Sequence, residues 1–185
     1  TIFRHCLNRS VHAFQANGSL FYHKQVTPFD VITARSFLEI IGTWMAGVVV
    51  TVAAIILGYM KPPVDLGMVL LGLSFQSIFS YAIALIAASV SEISEYFEKC
   101  VSIAGYLCLP LTGAFIMINW LPLKYQWILL ASPLANNTEM IREGIFGMAA
   151  PVKYDLVYNT EATLLTLLLG LYLVSGIRKR LVLNG

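Results

Sequence analysis

The groups that could do chemistry are few and badly spaced for it. His5, His12 and His23 show no metal-ligand spacing, and no His-Glu-x-x-His or Cys-x-x-Cys pair occurs. No Gly-x-x-x-x-Gly-Lys-Ser/Thr loop occurs either, so the chain has no phosphate cradle of that kind. Cys6, Cys100 and Cys108 are odd in number, and two of them fall in apolar runs, so they imply no disulfide framework. Asn8-Arg9-Ser10, Asn17-Gly18-Ser19 and Asn136-Asn137-Thr138 match the glycosylation sequon, a three-residue pattern that arises often by chance. No catalytic residue, cofactor or metal is therefore expected in this chain.

Two polar features remain. Glu92, Glu95 and Glu98 recur at three-residue spacing and on a helix would form one acidic stripe, either a solvated face or a partner contact. Glu39 stands four residues after Arg35, where the two could pair on one helix face. It reads as a paired or snorkelling interfacial acid in preference to a proton relay.

These few polar groups sit in 185 residues that are 58% hydrophobic and only 12% charged. An ordinary soluble domain carries about 25% charged residues. The balance excludes disorder and argues against a soluble enzyme. A net charge of +2 gives no footprint for nucleic acid. The elements that hold the polar groups are therefore membrane helices. A span needs about 20 mostly apolar residues. Four stretches qualify: 37–60, 66–90, 100–121 and 158–177. The expected fold is an all-α polytopic membrane domain over 1–185. Residues 1–36 would be cytoplasmic, 122–157 a periplasmic re-entrant segment, and 178–185 a cytoplasmic tail. The chain opens Thr-Ile-Phe with no visible signal peptide and is expected to be the C-terminal part of a longer protein.

Orientation follows from Arg178-Lys179-Arg180 after the last span. With four spans, eight basic residues fall inside and four outside (Lys61, Lys124, Arg142 and Lys153). Thr27-Pro28-Phe29-Asp30 is a helix start, with a capping Thr, Pro at the first position and Asp in the first turn. Small residues at four-residue spacing, Gly42 and Ala46, then Ser80, Ala84 and Ala88, signal close helix packing. Pro110 should kink the third span and leave its outer half irregular. In the re-entrant segment, Pro133 should break an apolar stretch (127–131). Asn136-Asn137-Thr138 should then cap an amphipathic helix that stops at Gly147. Its apolar face would be Ile141, Ile145 and Met148, with Glu139, Arg142 and Glu143 on the polar side. Trp120, Tyr125 and Trp127 suit the interfacial belt. Leu20, Phe21 and Tyr22 are too apolar for a free loop and suit lipid headgroups or a protein partner.

The ordered series Asn8-Arg9-Ser10-Val11, Ala16-Asn17-Gly18-Ser19-Leu20-Phe21, Val26-Thr27-Pro28-Phe29-Asp30, Ala34-Arg35 and Leu38-Glu39 resembles a known membrane family. So do the Leu121-Pro122 corner, Ser132-Pro133-Leu134 and Glu139-Met140-Ile141-Arg142-Glu143. The family is the permease subunit of type-2 class ABC exporters, with the nearest likeness to capsular polysaccharide export permeases of Gram-negative bacteria. The resemblance covers nearly the whole chain. It implies that the four spans are the last four of six, in a homodimer bound to two copies of a separate ATPase subunit in the bacterial inner membrane. The cargo it implies is a lipid-linked acidic glycan, and periplasmic or outer-membrane export proteins would be further partners. It also implies a coupling helix over Asn17, Gly18, Leu20, Phe21, Tyr22, His23 and Lys24. Glu92, Glu95 and Glu98 would form a second ATPase contact, and the re-entrant pair would be the outer gate. Trp44, Tyr81, Tyr106, Phe115, Trp120 and Trp127 would be candidate sugar-stacking aromatics, though each taken singly reads as packing or belt. Arg142 would face outer headgroups or an acidic glycan. A same-fold exporter of drugs or other lipids, and a non-transporting membrane anchor, are the competing readings.

Overall fold

The computed structural model describes residues 2–11, 27–92 and 95–183, with side chains excepted at 95, 97, 98, 102 and 177–183. Helix α1 covers Ile2–Val11, α2 Pro28–Ile56, α3 Leu66–Ser91 and α4 Glu95–Leu107. Helix α5 covers Leu123–Leu130, α6 Pro133–Phe146 and α7 Leu156–Leu183. Among the described residues three helices are long and apolar enough to cross a membrane: α2, α3 and α7.

Each long helix begins at a side-chain cap. Asp30 accepts the Thr27 N–H (2.9 Å) and hydroxyl (2.6 Å), while Thr27 Oγ1 accepts the Asp30 N–H (3.3 Å). That reciprocal box starts α2 at Pro28, as the sequence predicts. Asp65 Oδ1 accepts the Gly67 and Met68 N–H groups and starts α3. Asp155 Oδ1 accepts the Tyr158 N–H and starts α7. These acids satisfy amide groups that no helical carbonyl can reach.

The third predicted span is not one helix. α4 ends at Leu107, and its 13 residues reach only about 20 Å, short of a bilayer core. Pro110 has no N–H to continue the ladder, so the chain passes into a 3-10 turn, Pro110–Thr112. Gly113 follows at φ 65°, where a side chain would be strained. A second 3-10 turn covers Ile118–Trp120 before α5. Residues 108–121 thus carry a run of backbone polar groups without an α-helical ladder.

The chain divides into two compact units. One holds residues 1–40, 78–107 and 164–185. In it α1 lies along α4, and Ile32, Leu85, Ala88, Val31 and Val174 form a buried core flanked by Tyr81 and Leu167. The small-residue stripe Ser80, Ala84 and Ala88 is fully buried, as close packing requires. The other unit holds residues 41–77 and 108–163. Its core joins Ile118, Leu129 and Ala135, with Leu121 and Leu130 packed against it. Gly42 has nothing within 4 Å of a Cβ built on it, so this part of its stripe meets none of the described residues.

Candidate functional site

Segment 122–157, expected to be re-entrant, folds as two short helices around a buried polar hub. α6 starts at Pro133, at its first turn, with Ser132 in the capping position. Asn136, Asn137 and Thr138 therefore do not cap the helix, as the sequence suggests; they lie inside it. Nor do its expected polar and apolar faces separate into exposed and buried ones: Glu139 is fully buried, while Arg142 and Glu143 are half-buried like Ile141 and Ile145. Asn136, Asn137, Glu139 and Met140 are fully buried, whereas Met148 is fully exposed. The reason is the irregular backbone around the helix. Backbone groups without a helical ladder need other partners where water is scarce. α6 supplies them from its side chains.

Four such bonds hold the segment before α5. Ser132 Oγ donates to the Leu111 carbonyl (2.8 Å), Thr138 Oγ1 to the Thr112 carbonyl (2.8 Å) and Arg142 Nη2 to the Gly113 carbonyl (2.8 Å). Glu139 Oε1 accepts the Ile118 N–H (3.3 Å) and an Arg142 N–H. Asn136 extends the same service to two neighbouring turns. Its amide donates to the Leu130 and Ser132 carbonyls, and its Oδ1 accepts the Asp155 N–H (2.9 Å). Arg142 thus faces inward, its side chain only 15% exposed and paired with Glu139. It does not point to headgroups or to an exit, as the charge pattern suggests, because a buried carboxylate demands the nearest cation.

Glycines set how closely α6 approaches α3. A Cβ on Gly144 would lie 2.6 Å from the Val69 backbone nitrogen, and one on Gly72 3.0 Å from the Ile141 backbone nitrogen. The two helices meet backbone to backbone, and the Asp65 N–H bonds the Gly144 carbonyl (2.9 Å). Near the end of the hub, Tyr154 is held by Glu143. That hydrogen bond, burial and the negative charge push its phenol up to about 12.

The candidate aromatics separate by role. Trp44 Nε1 donates to Ser77 Oγ (2.9 Å) between α2 and α3. Tyr81 shares a hydrogen bond with Thr33 (2.8 Å), and its ring stands 6.4 Å from Phe37. Both tie helices together. Tyr106 is exposed, with the Arg4 guanidinium 5.6 Å from its ring centre. Phe115, Trp120 and Trp127 are 74%, 70% and 65% exposed, bulky apolar groups turned away from their own unit.

The polar pattern of the other unit also changes in three dimensions. Glu39 pairs with Arg9 (3.0 Å) and lies 3.7 Å from His5, while Arg35 donates to the Arg9 carbonyl (3.4 Å). Of the acidic stripe, Glu92 follows α3 and is exposed, and Glu95 and Glu98 fall in the first turn of α4. The side chains of Glu95 and Glu98 lie outside the described residues, as do Asn17, Gly18, Leu20, Phe21, Tyr22, His23 and Lys24 in full. Sequence reasoning read Asn137 only as a cap and sequon residue and did not single out Asn159 or Thr163; all three are buried. Their signal was legible: polar residues with no surface to serve in an apolar chain.

The family described as ABC-2 type transporter matches residues 2–146, well over half of the chain and including α1 to α6. The chain belongs to that family. It is 34% identical to the capsule polysaccharide export inner-membrane protein CtrC of Neisseria meningitidis serogroup A, over 96% of this chain and 67% of that protein. It is 30% identical to the capsule polysaccharide export inner-membrane protein BexB of Haemophilus influenzae, again over 96% of this chain and 67% of the relative. It is 28% identical to the polysialic acid transport protein KpsM of Escherichia coli, over 93% of this chain and 67% of that one. As a member of a transport family it has no need of the catalytic motifs it lacks.

Proposed function

We propose that this chain is the membrane-spanning part of an inner-membrane permease that exports a capsular or related polysaccharide, lipid-linked, driven by a separate ATPase subunit. One observation carries the reading. The likeness to polysaccharide-export proteins runs over 96% of the chain and is not confined to its apolar helices. The family match, residues 2–146, likewise spans the turns and short helices from 110 to 146 as well as the long apolar helices.

In this reading α2, α3 and α7 cross the bilayer. α4 with the 3-10 segment after it makes the fourth crossing, its freed backbone satisfied by α6. α5 and α6 form the re-entrant outer gate, with Trp120 and Trp127 in the interfacial belt. Residues 17–24 act as the coupling helix in a cleft of the ATPase, and the acids at 92, 95 and 98 as a second contact. Two permease copies meet two ATPase copies, and the exposed apolar length of α2 is available for lipid or the second copy. Periplasmic and outer-membrane export proteins take the polymer onward. Exposed aromatics at 106, 115, 120 and 127 offer faces on which sugar rings stack.

Deleting the gene for the whole permease tests this. Polysaccharide should accumulate in the cytoplasm and disappear from the cell surface, and an ATPase chain should co-purify with the tagged wild-type protein. Unchanged surface polymer with a new drug sensitivity would favour the drug-exporter reading. Failure to recover any ATPase would favour a non-transporting anchor.

A further inference from the structure

We infer that the face of α6 toward α7 is the seam at which the outer gate parts, and that Asn137 and Asn159 are the residues that hold it shut. This rests on the exporter reading above. The hub is bound unevenly. Toward 108–121, α6 is fixed by bonds from Ser132, Thr138, Glu139 and Arg142. Toward α3, it is fixed by backbone contact at Gly72 and Gly144. Bonds and close packing dominate on these two sides, so they move with α6 as one body, although Glu139 Oε2 and Glu143 Oε2 are buried without a hydrogen-bond partner among the described residues.

The side toward α7 is different. Asn159 Nδ2 donates to Asn137 Oδ1 (2.7 Å) between two fully buried amides. The other half of each amide is unmet. Among the described residues, Asn137 Nδ2 and Asn159 Oδ1 are buried without a hydrogen-bond partner. Thr163 Oγ1, one turn further along α7 and only 2% exposed, is also unmet. Burial without a partner costs each of these groups the hydration it would have in the open. The closed seam therefore holds by that bond and a long Asn159 Nδ2 contact to Met140 Sδ (4.0 Å), while leaving three polar atoms unmet. Opening loses that bond and gains water for all of them. Two arrangements of similar free energy are what a gate needs, because a small bias then moves the population. The Asn136 bond to the Asp155 N–H and the Tyr158 hydroxyl bond to the Ala131 carbonyl (2.7 Å) lie at the start of α7 and supply the pivot.

The test uses the full-length permease with its ATPase, in a background where Cys6, Cys100 and Cys108 are Ser. Thr163→Cys should resist a water-soluble maleimide at rest and react during nucleotide turnover. Adding Asn137→Leu and Asn159→Leu replaces the half-met pair with matched apolar groups. The closed seam is then favoured, so labelling and export should both slow by roughly tenfold, the scale of a buried polar mismatch. Melting temperature should hold or rise. Equal labelling rates in the two backgrounds, or protection of Thr163→Cys throughout turnover, would overturn the seam. So would slowed export that merely follows a lowered melting temperature. If the double variant does not accumulate, Thr163→Val removes one unmet hydroxyl without change of shape. It should slow export at unchanged melting temperature, and wild-type export in it would overturn the inference. Nucleotide-dependent labelling of Thr163→Cys in a complex that exports no polysaccharide would uphold the seam and sink the assigned cargo.

Discussion

Arg142 Nη2 donates to the Gly113 carbonyl oxygen at 2.8 Å, tying the middle of α6 to the one left-handed residue between the two 3-10 turns. The same guanidinium neutralises Glu139, which is 0% exposed. Arg142→Ala should therefore damage the fold itself. It leaves a buried carboxylate unpaired, a change that costs about 3–5 kcal/mol. Converting both Glu139 and Arg142 to Met should cost less than Arg142→Ala alone. Thermal unfolding of the full-length variants in detergent measures both. A double variant less stable than the single one would contradict the pairing.

Glycine contacts give a second test. Gly144→Ala forces a Cβ to within 2.6 Å of the Val69 backbone nitrogen, so α3 and α6 must separate. Overpacking of this kind costs about 1–3 kcal/mol. Gly42→Ala meets nothing within 4 Å and lies in a helix, so stability should be unchanged or rise by up to about 1 kcal/mol. Equal melting temperatures for the two variants would show that the close approach is not real.

Topology can be read with single cysteines. Lys124 and Lys153 are exposed near the two ends of segment 122–157, and Lys153 Nζ reaches Gln126 Oε1 at 3.1 Å. Lys124→Cys and Lys153→Cys should both react with an impermeant thiol reagent added from the periplasmic side. Labelling of one from the periplasm and the other only from the cytoplasm would mean that 122–157 crosses the membrane.

Charge at Glu92, Glu95 and Glu98 should matter to the partner. Converting Glu92, Glu95 and Glu98 to Gln removes three charges with little change of shape. If they meet basic groups of the ATPase, association should weaken and lose part of its salt dependence. Pull-down across a salt series reads this out. Wild-type salt sensitivity in the triple variant would make them a solvated face.

The helices were readable because their signals are local. Twenty or more apolar residues, an acid or Thr at the start and Pro at the first turn are each set by nearest neighbours along the chain. The capping box of Thr27 and Asp30 forms where the sequence puts it. Pro110 likewise announces a break, though not its extent. Periodicity on α6 was misleading for a physical reason. A helical pattern of polar and apolar residues reveals two faces but not which one turns inward. The usual assignment assumes that water lies on the polar side. Here irregular backbone lies there.

By itself the sequence determined that this is a multi-helix membrane protein, where its long helices start, and, by resemblance, the transport family to which it belongs. Only the tertiary structure decided what its scarce polar residues are for. Arg142 could have met a glycan, a headgroup or a neighbour; it meets Glu139 and the Gly113 carbonyl. Glu39 meets Arg9, far beyond the one-turn reach of a pair on a single helix. Asn159 meets Asn137 across two helices. Such pairings depend on which non-helical backbone groups the fold leaves unmet. That is known only once α4 has ended at Leu107 and the chain has returned to α6.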